Sequence, residues 1–261
     1  MPSPRVLILR APGTNCDRET AYAFERAGAV TEPCHINRLL ESPQRLLDYQ
    51  IACLPGGFSY GDDIAAGRIL ANQFRHHLTD FLREFRDAGK LIFGICNGFQ
   101  ILIKSGVLLA DEPAGPPATL TWNESGRYTD RWVHVRTSGD RCVFLRGIDR
   151  MFLPIAHAEG KFVTRDLATL ERLRAASQLA LRYTNETGEA VGEVPLPFPV
   201  NPNGAWANVA GACDATGRVF GLMPHPERHI DHTHHPHWTR LAPREVGDGF
   251  KVFQNAVAYF A

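Results

Sequence analysis

Three short apolar runs, each closed by a glycine-bearing turn, restrict the fold more than any other feature of this chain. "RVLILRA" (5–11) ends on Pro12-Gly13, "IACLP" (51–55) ends on Gly56-Gly57, and "LIFGI" (91–95) runs into Cys96-Asn97-Gly98. Runs of this length, bounded by turn residues, read as strands buried on both faces. Helical stretches lie between them. "NCDRETAYAFERAG" places Ala21, Phe24 and Ala27 on one stripe and stops at Gly28. "RILANQFRHHLTDFLREFRDAG" (68–89) aligns Leu70, Phe74, Leu78, Phe81, Leu82 and Phe85, with Gly89 as its stop. "AVTEPCHI" is a weaker strand because Pro33 interrupts it. Alternation of this kind predicts an α/β fold with a mostly parallel central sheet, helices on both faces, and ligands at the carboxyl ends of the strands. From about residue 119, "TLTWNESGRYTDRWVHVRTS" and "RCVFL" read as further strands, antiparallel and nearer one edge. No Ser/Gly-rich or Pro-rich linker divides the chain, so one domain over residues 1–261 is expected.

Charge removes some classes of partner. Lys and Arg number 28 and so do Asp and Glu, leaving no basic excess to attract nucleic acid or an anionic membrane. The apolar run before Pro12 is about five residues, shorter than the core of a signal peptide, and no later run approaches the ~20 that span a bilayer. A cytoplasmic protein is expected. Cys16, Cys34, Cys53, Cys96, Cys142 and Cys213 form neither a CxxC pair nor a metal-ligand spacing, which fits free thiols in a reducing compartment.

One thiol stands apart. Gly94-Ile95-Cys96-Asn97-Gly98 is the cysteine form of a nucleophile elbow, in which small neighbours let a strained strand-to-helix turn push one side chain into the open. There the start of the next helix favours a thiolate, and the N–H of Asn97 points toward an oxyanion. A packed cysteine beside a helix start is the competing reading. A cysteine nucleophile needs a base and a group to orient it, and "VFGLMPHPERH" (219–229) offers His225 and Glu227 in a proline-stiffened, extended segment after a strand. Residues two apart in such a segment project to one side, placing the Glu227 carboxylate near the imidazole. A turn with a solvated glutamate is the bland alternative. In "CLPGGFSYGDD" (53–63), Gly56 and Gly57 allow backbone N–H groups to approach an oxyanion, although a plain turn after a strand reads the same way.

Together, "GICNGFQ", "PGGFSYGD" and "MPHPER" resemble the class I, triad-type glutamine amidotransferases. Within that class, "PGTNCD" (12–17), "AHAEGKF" (156–162), "RYTNETG" (182–188), "NPNGAWANVAG" (201–211) and "GDGFKVFQNAV" (247–257) are similar to the glutaminase subunits of phosphoribosylformylglycinamidine synthase. The resemblance covers nearly the whole chain. It implies a flavodoxin-like fold in which Cys96 attacks the side-chain amide of glutamine, His225 gives a proton to the departing ammonia and Glu227 orients His225. It also implies an oxyanion site from the N–H groups of Gly57, Phe58 and Asn97, with Gln100 at a glutamine-contacting position. No metal or cofactor is implied for this subunit. ATP and magnesium are used by a partner synthetase, which takes the ammonia to make formylglycinamidine ribonucleotide in purine synthesis, and a small third subunit bridges the two. The absence of a GxxxxGK[ST] sequence agrees with that division of labour.

Two departures carry further expectations. Ala158 stands in "AHAEG" where the family usually has glycine, and His157, Glu159 and Lys161, lacking an obvious catalytic partner, are expected to help dock the synthetase. "HIDHTHHPH" (229–237) invites a zinc reading, but its only nearby acid is Asp231, and a solvated or partner-facing loop is expected. Cys16, at the ligand end of the first strand, is expected to line the active site without being the nucleophile; Cys34, Cys53, Cys142 and Cys213 read as core thiols. Alternative functions are a glutaminase feeding another acceptor synthase, such as those of GMP, CTP or imidazole glycerol phosphate, and a silent complex-organising module.

Overall fold

The computed structural model describes residues 3–188 and 194–261. Its first strands are β1 (Arg5–Arg10), β2 (Val30–His35), β3 (Ile51–Leu54) and β4 (Leu91–Ile95). They are followed by β5 (Ala118–Thr121), β6 (Thr129–Thr137), β7 (Arg150–His157), β8 (Lys161–Thr164), β9 (Leu181–Thr184), β10 (Val209–Cys213) and β11 (Val219–Leu222). Nine of these form one sheet in the order β2-β1-β3-β4-β11-β10-β9-β6-β7, while β5 and β8 pair separately. From β2 to β11 the pairing is parallel, and from β11 to β7 it is antiparallel. The apolar runs β3 and β4 are buried throughout, as strands covered on both faces must be. Pro33 is accommodated because β2 is an edge strand, where a missing N–H breaks no ladder on the outer side.

Helix α1 spans Asp17–Arg26, α2 Ile36–Glu41 and α3 Arg68–Gln73. On α1 the buried stripe is Thr20, Ala23 and Phe24, with Ala21 and Ala27 only partly covered. The shift from the expected stripe is possible because the Thr20 hydroxyl donates to the Cys16 carbonyl at 2.6 Å and can be buried without loss. The expected helix over 68–89 is interrupted. After α3, a π turn covers Phe74–Leu78 and α4 covers Thr79–Asp87, with the Thr79 hydroxyl donating to the Phe74 carbonyl at 3.0 Å. Leu70, Phe74, Leu78, Leu82 and Phe85 nevertheless all reach the core. Helix α5 spans Asn97–Lys104, α6 Leu167–Ala175 and α7 Phe250–Ala258.

"RCVFL" is not a strand. Val143–Leu145 is a 3-10 turn whose Phe144 ring lies 4.9 Å from Phe93 and 5.6 Å from Phe220, while Asn255 of α7 donates to the Phe144 carbonyl at 2.9 Å. Its apolar content reflects burial under a helix rather than β pairing. The antiparallel half of the sheet also curls. Four strand spacings separate β11 from β7, about 19 Å on a flat sheet. Yet the N–H of His225, just after β11, donates to the Pro154 carbonyl of β7 at 2.8 Å. Curling brings the end of β7 over the carboxyl ends of the parallel strands, where β1, β3, β4 and β11 deliver their turns.

Candidate active site

Cys96 stands between β4 and α5 with φ 51° and ψ −104°, a conformation outside the usual αL well for a residue with a side chain. Its amide is held by the β11 ladder, donating to the Leu222 carbonyl at 2.8 Å. Gly98 is required by contact: a Cβ there would sit 1.9 Å from the Leu54 carbonyl oxygen, so only glycine lets α5 cross β3 this closely. Contrary to the expectation of an open side chain, Cys96 is buried, 4% exposed, because the end of β7 covers the elbow, and Sγ lies 3.9 Å from the Ala156 carbonyl there.

His225 is extended at φ −103°, but Pro226–Arg228 form a 3-10 turn rather than continuing the extended segment. The turn brings Glu227 back under the ring, and Nδ1–H donates to Glu227 Oε1 at 2.6 Å. Both side chains are buried. Burial, the largest influence on His225, disfavours its charged form. Glu227, then the Cys96 and Cys16 sulfurs, outweigh it, and the imidazole pKa is held well above its usual value. Nε2 of His225 and Oε2 of Glu227 are buried without hydrogen-bond partners.

A cavity of about 230 Å³ opens beside Cys96, lined by Gly57, Phe58, Gln100, Trp122, His157 and Glu159 among others. Gly57 is in the left-handed half of the map at φ +145°, and a Cβ on it would meet the Gly13 carbonyl at 2.6 Å, so the turns after β1 and β3 interlock. The N–H of Phe58 donates to that same Gly13 carbonyl at 2.9 Å. In this structure the Phe58 amide is engaged in the interlock, and the Phe58 ring lines the cavity. Asn97, first residue of α5, has an N–H without an intrahelical acceptor. Gly57 and Asn97 therefore remain as backbone donors.

Gln100 is not a surface residue. Its Oε1 accepts from Asn97 Nδ2 at 2.9 Å and its Nε2 donates to the Glu159 carbonyl, and it is 3% exposed. Asn97 also accepts from the Ser59 N–H at 3.1 Å and donates to Asp62 Oδ1 at 3.1 Å. Glu159 Oε1 accepts from the Ala66 N–H at 3.1 Å; Lys104 Nζ pairs with Glu159 Oε2 at 3.3 Å and donates to the Ala66 carbonyl at 2.6 Å. The loop from Gly57 to Gly67 is thus pinned at both ends from one face of α5. Burial lowers the Lys104 pKa against the opposing pull of Glu159, and burial raises that of Asp62.

These contacts overturn the docking expectation for His157 and Glu159. Both are buried, Glu159 on Lys104 and His157 with Nδ1 3.0 Å from Asn123 Oδ1. Burial, then the neighbouring His225, holds the His157 pKa down to about 3. Lys161 is the partly exposed member, 3.9 Å from Glu124. Ala158 is not among the residues with positive φ, so its methyl group replaces the family's usual glycine without backbone strain.

Cys16 lies at the site as expected. Its sulfur accepts from Arg228 Nη2 at 3.1 Å, and Arg228 Nε is held by Glu19 at 2.8 Å. Burial pushes its pKa up, against the lowering influence of His225. The other expected core thiols are buried and free. The 229–237 stretch is not a wholly solvated loop: His229 and His232 are buried, His229 Nδ1 lies 2.7 Å from the Phe152 carbonyl, and the His229 and His235 rings pack on Trp132.

The class follows from this arrangement together with family comparison: a model of the CobB/CobQ-like glutamine amidotransferase domain matches residues 3–260. The chain is 46% identical over 260 residues, 99% of this chain and 98% of the other, to the phosphoribosylformylglycinamidine synthase subunit PurQ of Dehalococcoides mccartyi. A chain in the structure of PurLQS from Thermotoga maritima superposes with a TM-score of 0.74 at 31% identity, covering 99% of this chain and 100% of that one. The chain belongs to the PurQ family of glutaminase subunits. The glutaminase domain of Trypanosoma brucei CTPS, at 13% identity and a TM-score of 0.56, shares the fold alone.

Proposed function

We propose that this chain hydrolyses glutamine to glutamate and ammonia and passes the ammonia to a synthetase, with which a small third subunit assembles it for formylglycinamidine ribonucleotide synthesis. The observation that carries the reading is Cys96 on a strained elbow beside a buried His225–Glu227 pair, in a chain alignable end to end with PurQ subunits. Cys96 Sγ adds to the amide carbon of glutamine, and the oxyanion is received by the N–H groups of Gly57 and Asn97. His225 hands its proton to the leaving nitrogen, which departs as ammonia and leaves a γ-glutamyl thioester. His225 then takes a proton from water, hydroxide attacks the thioester, and glutamate leaves as the thiolate is restored. Glu227 fixes the proton on Nδ1 and stabilises the imidazolium.

No step here needs a metal or cofactor in this subunit, and ATP and magnesium act in the synthetase. Among the described residues no helix is long and apolar enough to cross a membrane, and we place the protein in the cytoplasm with its pathway. Gln100 shapes the pocket, its amide bonded to Asn97 and Glu159. The test is glutamate production by the chain alone and with its synthetase and small subunit, with and without formylglycinamide ribonucleotide and ATP. Activity that rises with the partners and vanishes in Cys96→Ala supports the reading. Strong activity indifferent to them refutes the assignment to this synthase, and none in any mixture refutes the chemistry.

A further inference from the structure

The proposed reaction uses Cys96, His225 and Glu227, and leaves a second buried thiol unused beside them. One donor atom each from Cys16, His225 and Glu227 lie within 4.8 Å of one another, all buried. A Cβ placed on Gly56 would lie 2.7 Å from His225 Cε1, 3.1 Å from Cys16 Sγ and 3.4 Å from His225 Nδ1, so the sulfur and the Cε1 side of the imidazole converge on the same point beside Gly56. The ring's Nδ1 is taken by Glu227, and Nε2 is buried without a partner. A thiol, an imidazole nitrogen without a hydrogen-bond partner and a carboxylate behind the ring are the donor types of a site for a thiophilic divalent cation. The carboxylate is also the outer-shell partner that orients metal-binding histidines.

We propose that Cys16, His225 and Glu227 form an inhibitory capture site for such a cation, Zn²⁺ being the probe of choice. Cys16 Sγ and His225 Nε2 bond the ion directly, Glu227 holds the ring from behind, and solvent completes the coordination. Binding expels the thiol proton of Cys16, and any proton on Nε2, to water; no electron moves. Glutaminase activity stops because Nε2 can no longer exchange a proton with substrate. The ion has a route that avoids the substrate cavity. A groove of about 570 Å³ lined by Glu19, Tyr22, Glu227, Arg228, Ile230 and His234 reaches the far side of the triad. Arg228, which donates to Cys16 Sγ, is the cation that must yield; its side chain is 36% exposed on that groove, so it can swing outward. Loss of activity rests on the proposed roles of the triad, whereas capture of the metal does not.

The full chain, assembled with its synthetase and small subunit, is titrated with Zn²⁺ while glutamine hydrolysis is followed, and bound zinc is measured on the chain alone after dialysis. One zinc per chain, removal by chelator with recovery of activity, and a half-inhibitory concentration at least about tenfold higher in Cys16→Ala are expected. Equal sensitivity of Cys16→Ala and wild type would place the metal on Cys96 alone and overturn the proposal. As a readout independent of catalysis and of that variant's folding, Cys96→Ala is loaded with Co²⁺. A thiolate-to-cobalt charge-transfer band is expected, and its absence also overturns the site.

Discussion

Cys96 reaches its position through a backbone conformation that costs of order 1–3 kcal/mol, and the surrounding contacts fix it there. The thiol's chemistry depends on its neighbours at equally fine scale. Cys96→Ala is expected to abolish glutamate production, while Cys16→Ala retains it, since Cys16 is not at the elbow. Glu227→Gln keeps the shape of the turn but loses the charge that favours imidazolium, and kcat is expected to fall about 10²–10⁴-fold. Steady-state assays of the three variants in the assembled complex check this; an active Cys96→Ala contradicts the account. His157 gives a second test. Its pKa is about 3 in the fold against an ordinary value of 6.5, so between these values the unfolded chain binds the extra proton. Its contribution is flat above about pH 6.5 and turns against folding, by up to ~1.4 kcal/mol per pH unit, as pH falls toward 3. Urea unfolding at pH 7 and pH 5 is expected to show a smaller acid loss in His157→Gln than in wild type. Equal losses would remove the assignment.

At the scale of elements, helix α5 does more than end the elbow. Asn97, Gln100 and Lys104 recur at i, i+3 and i+7 on an otherwise apolar, buried helix, and this stripe holds the loop from Gly57 to Gly67. Lys104→Met leaves Glu159 buried without its cation and is expected to destabilise the fold by about 3 kcal/mol and to raise KM for glutamine. Glu159→Gln, which can still accept from the Ala66 N–H, is expected to cost less. Denaturant midpoints and KM measured together test this, and a Lys104→Met protein unchanged in both contradicts it. The polar stripe was visible in "NGFQILIK", yet its partners were not: Glu159 and Asp62 lie 55 and 42 positions away in the chain, and only tertiary structure joins them to Lys104 and its helix. For the same reason the sequence pointed to docking by Glu159, because a buried ion pair and a surface charge cluster look alike in one dimension. The π turn at Phe74–Leu78 was hidden too, since Leu70, Phe74, Leu78 and Leu82 recur every four residues, a spacing that an uninterrupted α-helix carries as well.

Over the whole molecule, the parallel half of the sheet was legible because apolar runs ending in glycine turns have few other folded solutions. The antiparallel half was legible only as strands: nothing local encodes the curl that carries β7 from the sheet edge to Cys96 and His225. That curl is also why the Pro154 carbonyl and the Ala156–Glu159 segment belong to the site while lying far from its motifs in sequence. The commitment of the Phe58 amide to Gly13 was equally unreadable, because it depends on how two turns interlock. The central claim is that Cys96, and no other thiol, becomes acylated by glutamine. The most direct measurement is acid quench of the assembled complex during turnover, followed by peptide mass spectrometry. A γ-glutamyl group on the peptide carrying Cys96, lost on return to neutral pH, is the predicted result; the same group on Cys16, or on neither cysteine while glutamate is being formed, would contradict it.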